Sequence, residues 1–182
     1  MNQLNDIDII ERIVQLNESE HFSILIEKYK AMIFKLCLGF AINEQEAEDL
    51  FQDTFTNAFL DLKNFKNKSS FSTWLYRIGL NICLNHKRKI KNWQNPNEIE
   101  NMLESTEYNP ERLTISKDLY IKINEAILSL PNKQKTAFVL SKFNNLPQKD
   151  IAEIMLITEG AVEALLQRAK ANLRKILDKR DF

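Results

Sequence analysis

Apolar residues at Phe22, Leu25, Ile26, Tyr29, Met32, Ile33, Leu36 and Cys37 recur every three to four positions, the signature of a helix that buries one face. The same rhythm returns at Ile9, Ile10, Ile13 and Val14, then at Ala47, Leu50, Phe51, Phe55, Ala58, Phe59 and Leu62, and again at Trp74, Leu75, Ile78 and Ile82. A strand with one buried face needs alternation with period two, and no sustained alternation occurs. Neither Asn-Gly nor Asp-Gly is present to turn a hairpin, and only three Gly and four Pro interrupt the helices. The expected class is all-α.

Punctuation between the stripes sets the expected helix ends. Asp6 or Asp8 can cap the first helix, Asn17 and Ser19 break it, and Gly39 stops the second. Asn43 with Glu46 three residues on predicts a capping box, and Glu44, Glu46, Glu48 and Asp49 lie in first turns where the helix dipole favours negative charge. A polar loop over 64–70 leads to a helix capped by Ser70 or Ser72. From Asn92 to Asn109 the periodicity disappears, and Pro96 and Pro110 bracket an Asn- and Glu-rich stretch that reads as a flexible linker. The chain therefore divides into a unit over residues 1–92, a linker over 93–109 and a unit over 110–182, two small helical domains.

In the second unit Asn109-Pro110 opens a helix burying Leu113, Tyr120, Ile123, Ile127 and Leu130, and Pro131 ends it. A helix over 133–143 follows, with Ala137, Phe138 and Leu140 inside. The next is a short helix over 148–155. After the turn Leu156-Ile157-Thr158 comes a long last helix with Val162, Leu166, Ala169, Leu173 and Ile176 on one side. Short helix, tight turn and longer helix is the helix-turn-helix pattern, with Ala152 small enough to let the two helices cross closely.

The stretch from Leu62 to Asn97 contains no Asp or Glu and carries Lys63, Lys66, Lys68, Arg77, Lys87, Arg88, Lys89 and Lys91, with Phe65, Phe71, Trp74, Tyr76 and Trp93 among them. Basic side chains attract a phosphate backbone and aromatic faces stack on unpaired bases, so this stretch is a nucleic-acid candidate, although helical spacing puts some of these aromatics in the core. Arg77, Asn81, Asn85 and Arg88 fall on one exposed strip. The net charge of the whole chain is +0, so any such binding is local. Cys37 and Cys83 sit in apolar helical settings and read as buried free thiols of a reducing, cytoplasmic compartment. No run approaches a membrane span and the first residues lack the pattern of a signal peptide, which argues against membrane insertion. Five carboxylates between Glu44 and Asp53 invite a metal reading, but the mixed ligand set is missing, so neither metal nor cofactor is expected.

Two blocks resemble one family. Glu48-Asp49-Leu50-Phe51-Gln52-Asp53-Thr54-Phe55, followed by Phe71-Ser72-Thr73-Trp74-Leu75-Tyr76-Arg77-Ile78 with Asn81, resembles region 2 of bacterial extracytoplasmic-function (ECF) sigma factors of the sigma-70 family. Leu128-Ser129-Leu130-Pro131, Asp150-Ile151-Ala152-Glu153-Ile154, Ile157-Thr158-Glu159-Gly160-Ala161-Val162 and Arg168-Ala169 resemble region 4. The resemblance implies a subunit that binds bacterial core RNA polymerase, recognises two elements of promoter DNA, helps to open the duplex, catalyses nothing itself and is held by an anti-sigma factor. It implies polymerase contact through Glu48, Asp49, Gln52 and Asp53. It implies proximal-element contact through Lys63, Asn64, Lys66, Asn67, Lys68, Ser69, Phe71, Trp74, Arg77, Asn81, Lys87 and Arg88, the loop receiving a flipped base. Distal-element contact falls to Thr158, Glu159, Gly160, Ala161, Glu163, Ala164, Gln167 and Arg168.

The family usually carries Gly in the turn where this chain has Leu156, and basic or hydroxyl residues early in the recognition helix where this chain has Ala161, Glu163, Ala164 and Leu165. Leu165 reads as exposed. Either promoter preference is unusual, with Gln167, Arg168 and Lys170 reading DNA, or Ala161, Ala164 and Leu165 form an apolar patch for a protein. Three competing readings stand beside the resemblance. They are a stand-alone helix-turn-helix regulator, a metal-dependent nuclease built on the Glu44 to Asp53 carboxylates with His86, and a polymerase-binding adaptor without promoter selection. His86 beside Lys87 and Arg88 reads as a solvated surface residue.

Overall fold

A computed structural model describes residues 5–93 and 117–178, with side chains described over 5–86 and 122–178. Among the described residues eight α-helices follow one another: α1 (Asp6–Gln15), α2 (Phe22–Leu38), α3 (Glu44–Asp61), α4 (Phe71–Trp93), α5 (Lys117–Ser129), α6 (Asn132–Lys142), α7 (Gln148–Met155) and α8 (Glu159–Asp178). Short 3-10 turns precede α2 at Ser19–His21 and follow α3 at Leu62–Asn64. The first helix is capped by Asn5, whose Oδ1 accepts from Asp8 N at 2.9 Å, and not by Asp6 or Asp8, which occupy its first turn. Asp6 instead accepts from Lys28 Nζ at 2.6 Å and from the Tyr29 hydroxyl, tying α1 to α2. Asn43 caps α3 by accepting from Glu46 N at 2.8 Å, while Glu46 Oε2 reaches back to Ile42 N. Ser70 caps α4, its Oγ accepting from Thr73 N at 3.1 Å. Of the linker expected over 93–109, Trp93 is instead the last residue of α4, and residues 94–109, the Asn109-Pro110 start and the side chains of Leu113 and Tyr120 lie outside the described residues.

Helices α2, α3 and α4 pack on one another, with α1 across α2. Leu25, Ile33, Leu36, Ala47, Leu50, Ala58 and Leu75 fill this first unit and are almost wholly buried. Gly79 lets α4 approach α2, because a Cβ there would lie 3.0 Å from a Leu36 methyl. Cys37 and Cys83 are buried and free. Hydrogen bonding with Cys37 and burial push the Cys83 thiol well above its usual range. In the second unit α8 lies against α5, α6 and α7 around Ile151, Val139, Leu140, Val162 and Ala169.

The two units share one continuous core. Helix α4 lies against α7, and the end of α2 meets α6, where a Cβ on Gly39 would stand 2.4 Å from a Val139 methyl. Asn144 Nδ2 donates to Met32 O at 2.7 Å, and Asn124 Nδ2 lies 3.4 Å from the carbonyls of Ala41 and Ile42. Lys135 is 0% exposed, with its Nζ 5.1 Å from the centre of the Phe40 ring. Burial of an ammonium group across a ring face in this way is a cation–π contact. Periodicity alone puts a lysine on the outside; docking of α6 on the end of α2 puts it inside.

Candidate nucleic-acid interface

The α3/α4 pair carries two chemically opposite surfaces. Ala47, Leu50, Thr54 and Ala58 turn into the core, and buried Thr54 satisfies its hydroxyl by donating to Leu50 O at 2.7 Å. That register leaves Glu48, Asp49, Gln52 and Asp53 exposed together along the outer face of α3. Their first-turn neighbours offset the helix dipole, so the face is negative without destabilising the helix.

Beyond α3 the chain runs through buried Leu62 into the loop over 64–70. Asn64 Nδ2 donates to Asp61 Oδ1 at 2.6 Å, and Asn67 adopts the left-handed region at φ 53°, a conformation Asn tolerates better than most residues. Lys63, Asn64, Lys66, Asn67 and Lys68 are exposed and Ser69 is half-buried. Phe65 folds back under the loop, its ring 5.3 Å from Trp74 and 5.8 Å from Phe71. Phe71 and Tyr76 are each 3% exposed, so their rings present no face to a base; Phe65 and Trp74 keep accessible surface. Burial of the Tyr76 phenol, with the negative charge of Asp150 adding to it against a hydrogen bond from Asn144, pushes its pKa up to about 12.

The expected strip along α4 is divided. Asn81 and Asn85 are exposed and, with Asn57 and Asp61, border a groove of about 420 Å³ between α3 and α4. Arg77 is turned toward the second unit, donating from Nη2 to Glu153 O at 2.7 Å and from Nε to Ile154 O at 3.3 Å. Those carbonyls belong to the last turn of α7, the negative end of that helix, which suits a guanidinium. Lys87 and Arg88 lie in the backbone of α4, with side chains outside those described.

In the second unit α7 and α8 form the expected helix-turn-helix. Leu156 ends α7 in the left-handed region at φ 56°, ψ 46°, which is the backbone reason a Gly suits this turn. Thr158 Oγ1 accepts from Ala161 N at 3.2 Å and so caps α8. Burial of Val162, Leu166 and Ala169 fixes the rotation of α8 about its axis and leaves Glu159, Gly160, Glu163, Gln167 and Arg168 exposed. Ala161 and Ala164 are half-buried. Leu165 is half-buried and packs against the core instead of standing exposed, because α8 lies across three neighbours and not one. Gln167 Nε2 lies 3.4 Å from Glu163 Oε1.

His86 is not the solvated residue expected from its basic neighbours: its Nε2 lies 2.8 Å from Oε1 of buried Glu46, joining α4 to α3. Among the described residues no group of three or more His, Cys, Asp or Glu is placed to hold a metal. Sequence reasoning missed this pair, as well as Lys135, Asn124 and Asn144. Their partners come from distant parts of the chain and leave no local signal.

Residues 25–94 match the family model for sigma-70 region 2, and residues 120–173 match that for sigma-70, region 4. The chain is 33% identical to the ECF RNA polymerase sigma factor SigW of Bacillus subtilis over 90% of this chain and 92% of that protein. It is 31% identical to the RNA polymerase sigma-H factor of Pseudomonas aeruginosa over 97% and 96%. Among solved structures, the sigma factor RpoE of Bartonella quintana in complex with the anti-sigma factor NepR superposes with a TM-score of 0.66 at 22% identity, covering 86% of this chain and 96% of that one. CnrH in complex with the cytosolic domain of CnrY superposes with a TM-score of 0.62, also at 22% identity, covering 93% and 98%. Both share this helical fold. With matches to both regions in order, and relatives alike over nearly their whole length, the chain belongs to the extracytoplasmic-function sigma factors of the sigma-70 family, which direct promoter-specific transcription initiation.

Proposed function

We propose that this sigma factor docks on core RNA polymerase through the α3 face of Glu48, Asp49, Gln52 and Asp53, and reads and opens the proximal element with the loop over 64–70 and α4. The observation that carries this is the register of α3 and α4, which separates an exposed acidic and amide face from an exposed, carboxylate-free basic loop. A flipped base would meet the loop and Trp74. Phe65 and Phe71 support Trp74 from below, and extrusion costs only a few kcal/mol, which stacking and hydrogen bonds offset. Asn81, Lys87 and Arg88 follow the adjoining strand, and α8 enters the major groove of the distal element with Thr158, Glu159, Gly160, Ala161, Glu163, Ala164, Gln167 and Arg168 near the DNA. Arg77 joins the DNA contacts only when the units separate, since α7 carbonyls hold it in the closed arrangement. We assign the domains to residues 1–92 and 110–182, about a linker over 93–109. The chain supplies no catalytic group to phosphoryl transfer and works in the cytosol beside the polymerase. Among the described residues no helix is long and apolar enough to cross a membrane.

An anti-sigma factor is the further partner we infer, since relatives of this fold were solved with such proteins. A groove of about 500 Å³ between the units, lined by Arg77, Leu80, Leu84, Met155 and Ile157, offers it apolar surface. Run-off transcription with purified core polymerase, on genomic fragments that include the chain's own upstream region, tests the reading. Discrete start sites that require the protein and vanish with Trp74→Ala support it. Asp49→Lys with Asp53→Lys should abolish binding to core. Failure of the wild-type chain to bind core would overturn the proposal.

A further inference from the structure

The distal-element reading rests on α8 entering a major groove, and the chemistry it presents there is unusual. Buried Val162, Leu166 and Ala169 hold the helix so that Glu163 and Gln167 project together, one turn apart. A carboxylate only accepts hydrogen bonds, so the contact at 3.4 Å requires Gln167 to turn its amide nitrogen toward Glu163 Oε1. That contact leaves the second carboxylate oxygen of Glu163 and the amide oxygen of Gln167 as two acceptors, with one N–H left on Gln167. Cations stand farther along the helix, at Arg168, Lys170 and Arg174, where they suit phosphates.

In the major groove the donors on base edges are the amino groups of cytosine N4 and adenine N6. Guanine shows N7 and O6, and thymine shows O4, all acceptors. We infer that Glu163, braced by Gln167, is a specificity residue that selects an amino base, cytosine or adenine, at the position it faces in the distal element and rejects guanine and thymine there. Rejection is the stronger half of the effect. A keto base opposite Glu163 leaves a desolvated carboxylate facing another acceptor, which costs more than the loss of one hydrogen bond. The inference deepens the proposal that α8 reads duplex DNA and does not depend on how the proximal element is melted.

The test uses the full chain assembled with core polymerase. The probe is a duplex library randomised over the distal element upstream of a fixed proximal element from a promoter mapped by the run-off assay, and bound DNA is sequenced. The wild type should enrich cytosine or adenine at the position facing Glu163, disfavouring keto bases there by about 10- to 100-fold. Glu163→Ala keeps a good helix former at an exposed position and should flatten that position alone. Glu163→Gln, which can also donate, should admit guanine or thymine there. A selected profile that Glu163→Ala leaves unchanged while tightening every sequence alike would mean Glu163 acts only by repelling phosphates, which overturns the inference and leaves distal reading intact. No base preference anywhere in the randomised block, with the proximal element still required, overturns both.

Discussion

Replacing Gly39 with Ala tests the contact on which the closed arrangement depends. Gly39 has φ −72° and ψ −8°, a conformation open to any residue, so glycine is needed there for space and not for backbone freedom. The added methyl would stand 2.4 and 2.6 Å from the two Val139 methyls and 3.1 Å from its Cβ. Val139 is fully buried and β-branched, and every χ1 rotamer leaves at least one methyl facing Gly39. The end of α2 and α6 must move apart, at a cost of about 1–3 kcal/mol for overpacking. Lower entropy of the unfolded chain returns about 0.4–1 kcal/mol. Net destabilisation of about 0.5–2 kcal/mol should result, with expansion seen by small-angle scattering if the units part. Val139→Ala removes the obstructing methyls, at a transfer cost of about 0.8 kcal/mol per buried carbon plus a cavity. In the double variant each change relieves the other, so urea unfolding of the four proteins should give a coupling of about 1–2 kcal/mol in the favourable direction. If Gly39→Ala is as stable as the parent and the two changes add within about 0.5 kcal/mol, the two surfaces do not meet in solution and the reasoning fails.

Leu156→Gly relieves the left-handed backbone of the helix-turn-helix turn at little loss of burial, since Leu156 is 75% exposed. It should raise stability by about 0.5–1 kcal/mol in chemical denaturation, and a loss instead would mean the side chain is bound. The Cys83 thiol, hydrogen-bonded with Cys37 and buried, should resist alkylation at neutral pH until denaturant opens the core; rapid labelling of the native protein contradicts this packing. The Tyr76 phenol sits at about 12, above its ordinary 10, so its contribution to stability is complete below pH 10 and lost as pH rises through 12. Thermal unfolding against pH should fall over that window, and Tyr76→Phe should make the fall shallower. An identical slope in both proteins would show that Tyr76 ionises without cost.

Elements closed by local chemistry were legible from the chain. Asn43 with Glu46, Pro147 and Thr158 each mark a helix start through their own side chain or ring, and the structure has α3, α7 and α8 beginning there. The acidic face of α3 followed from register alone, because residues four apart share a side once Ala47, Leu50 and Phe55 are inside. Asn5, standing before two aspartates that looked equally able to cap, shows the limit of that kind of reading: the choice rests on one residue of backbone conformation.

What the residues by themselves determined is the helical class, the starts of α3, α7 and α8, and the two sigma regions, since all of these arise within a few turns of chain. Only the tertiary structure decided that Phe71 and Tyr76 belong to the core, that His86 meets Glu46, that Lys135 lies over Phe40 and that Arg77 is held by α7. Each of these depends on which helices touch. That choice is made by the summed burial of whole faces and by the space a residue such as Gly39 leaves for Val139, quantities that no local window of sequence contains.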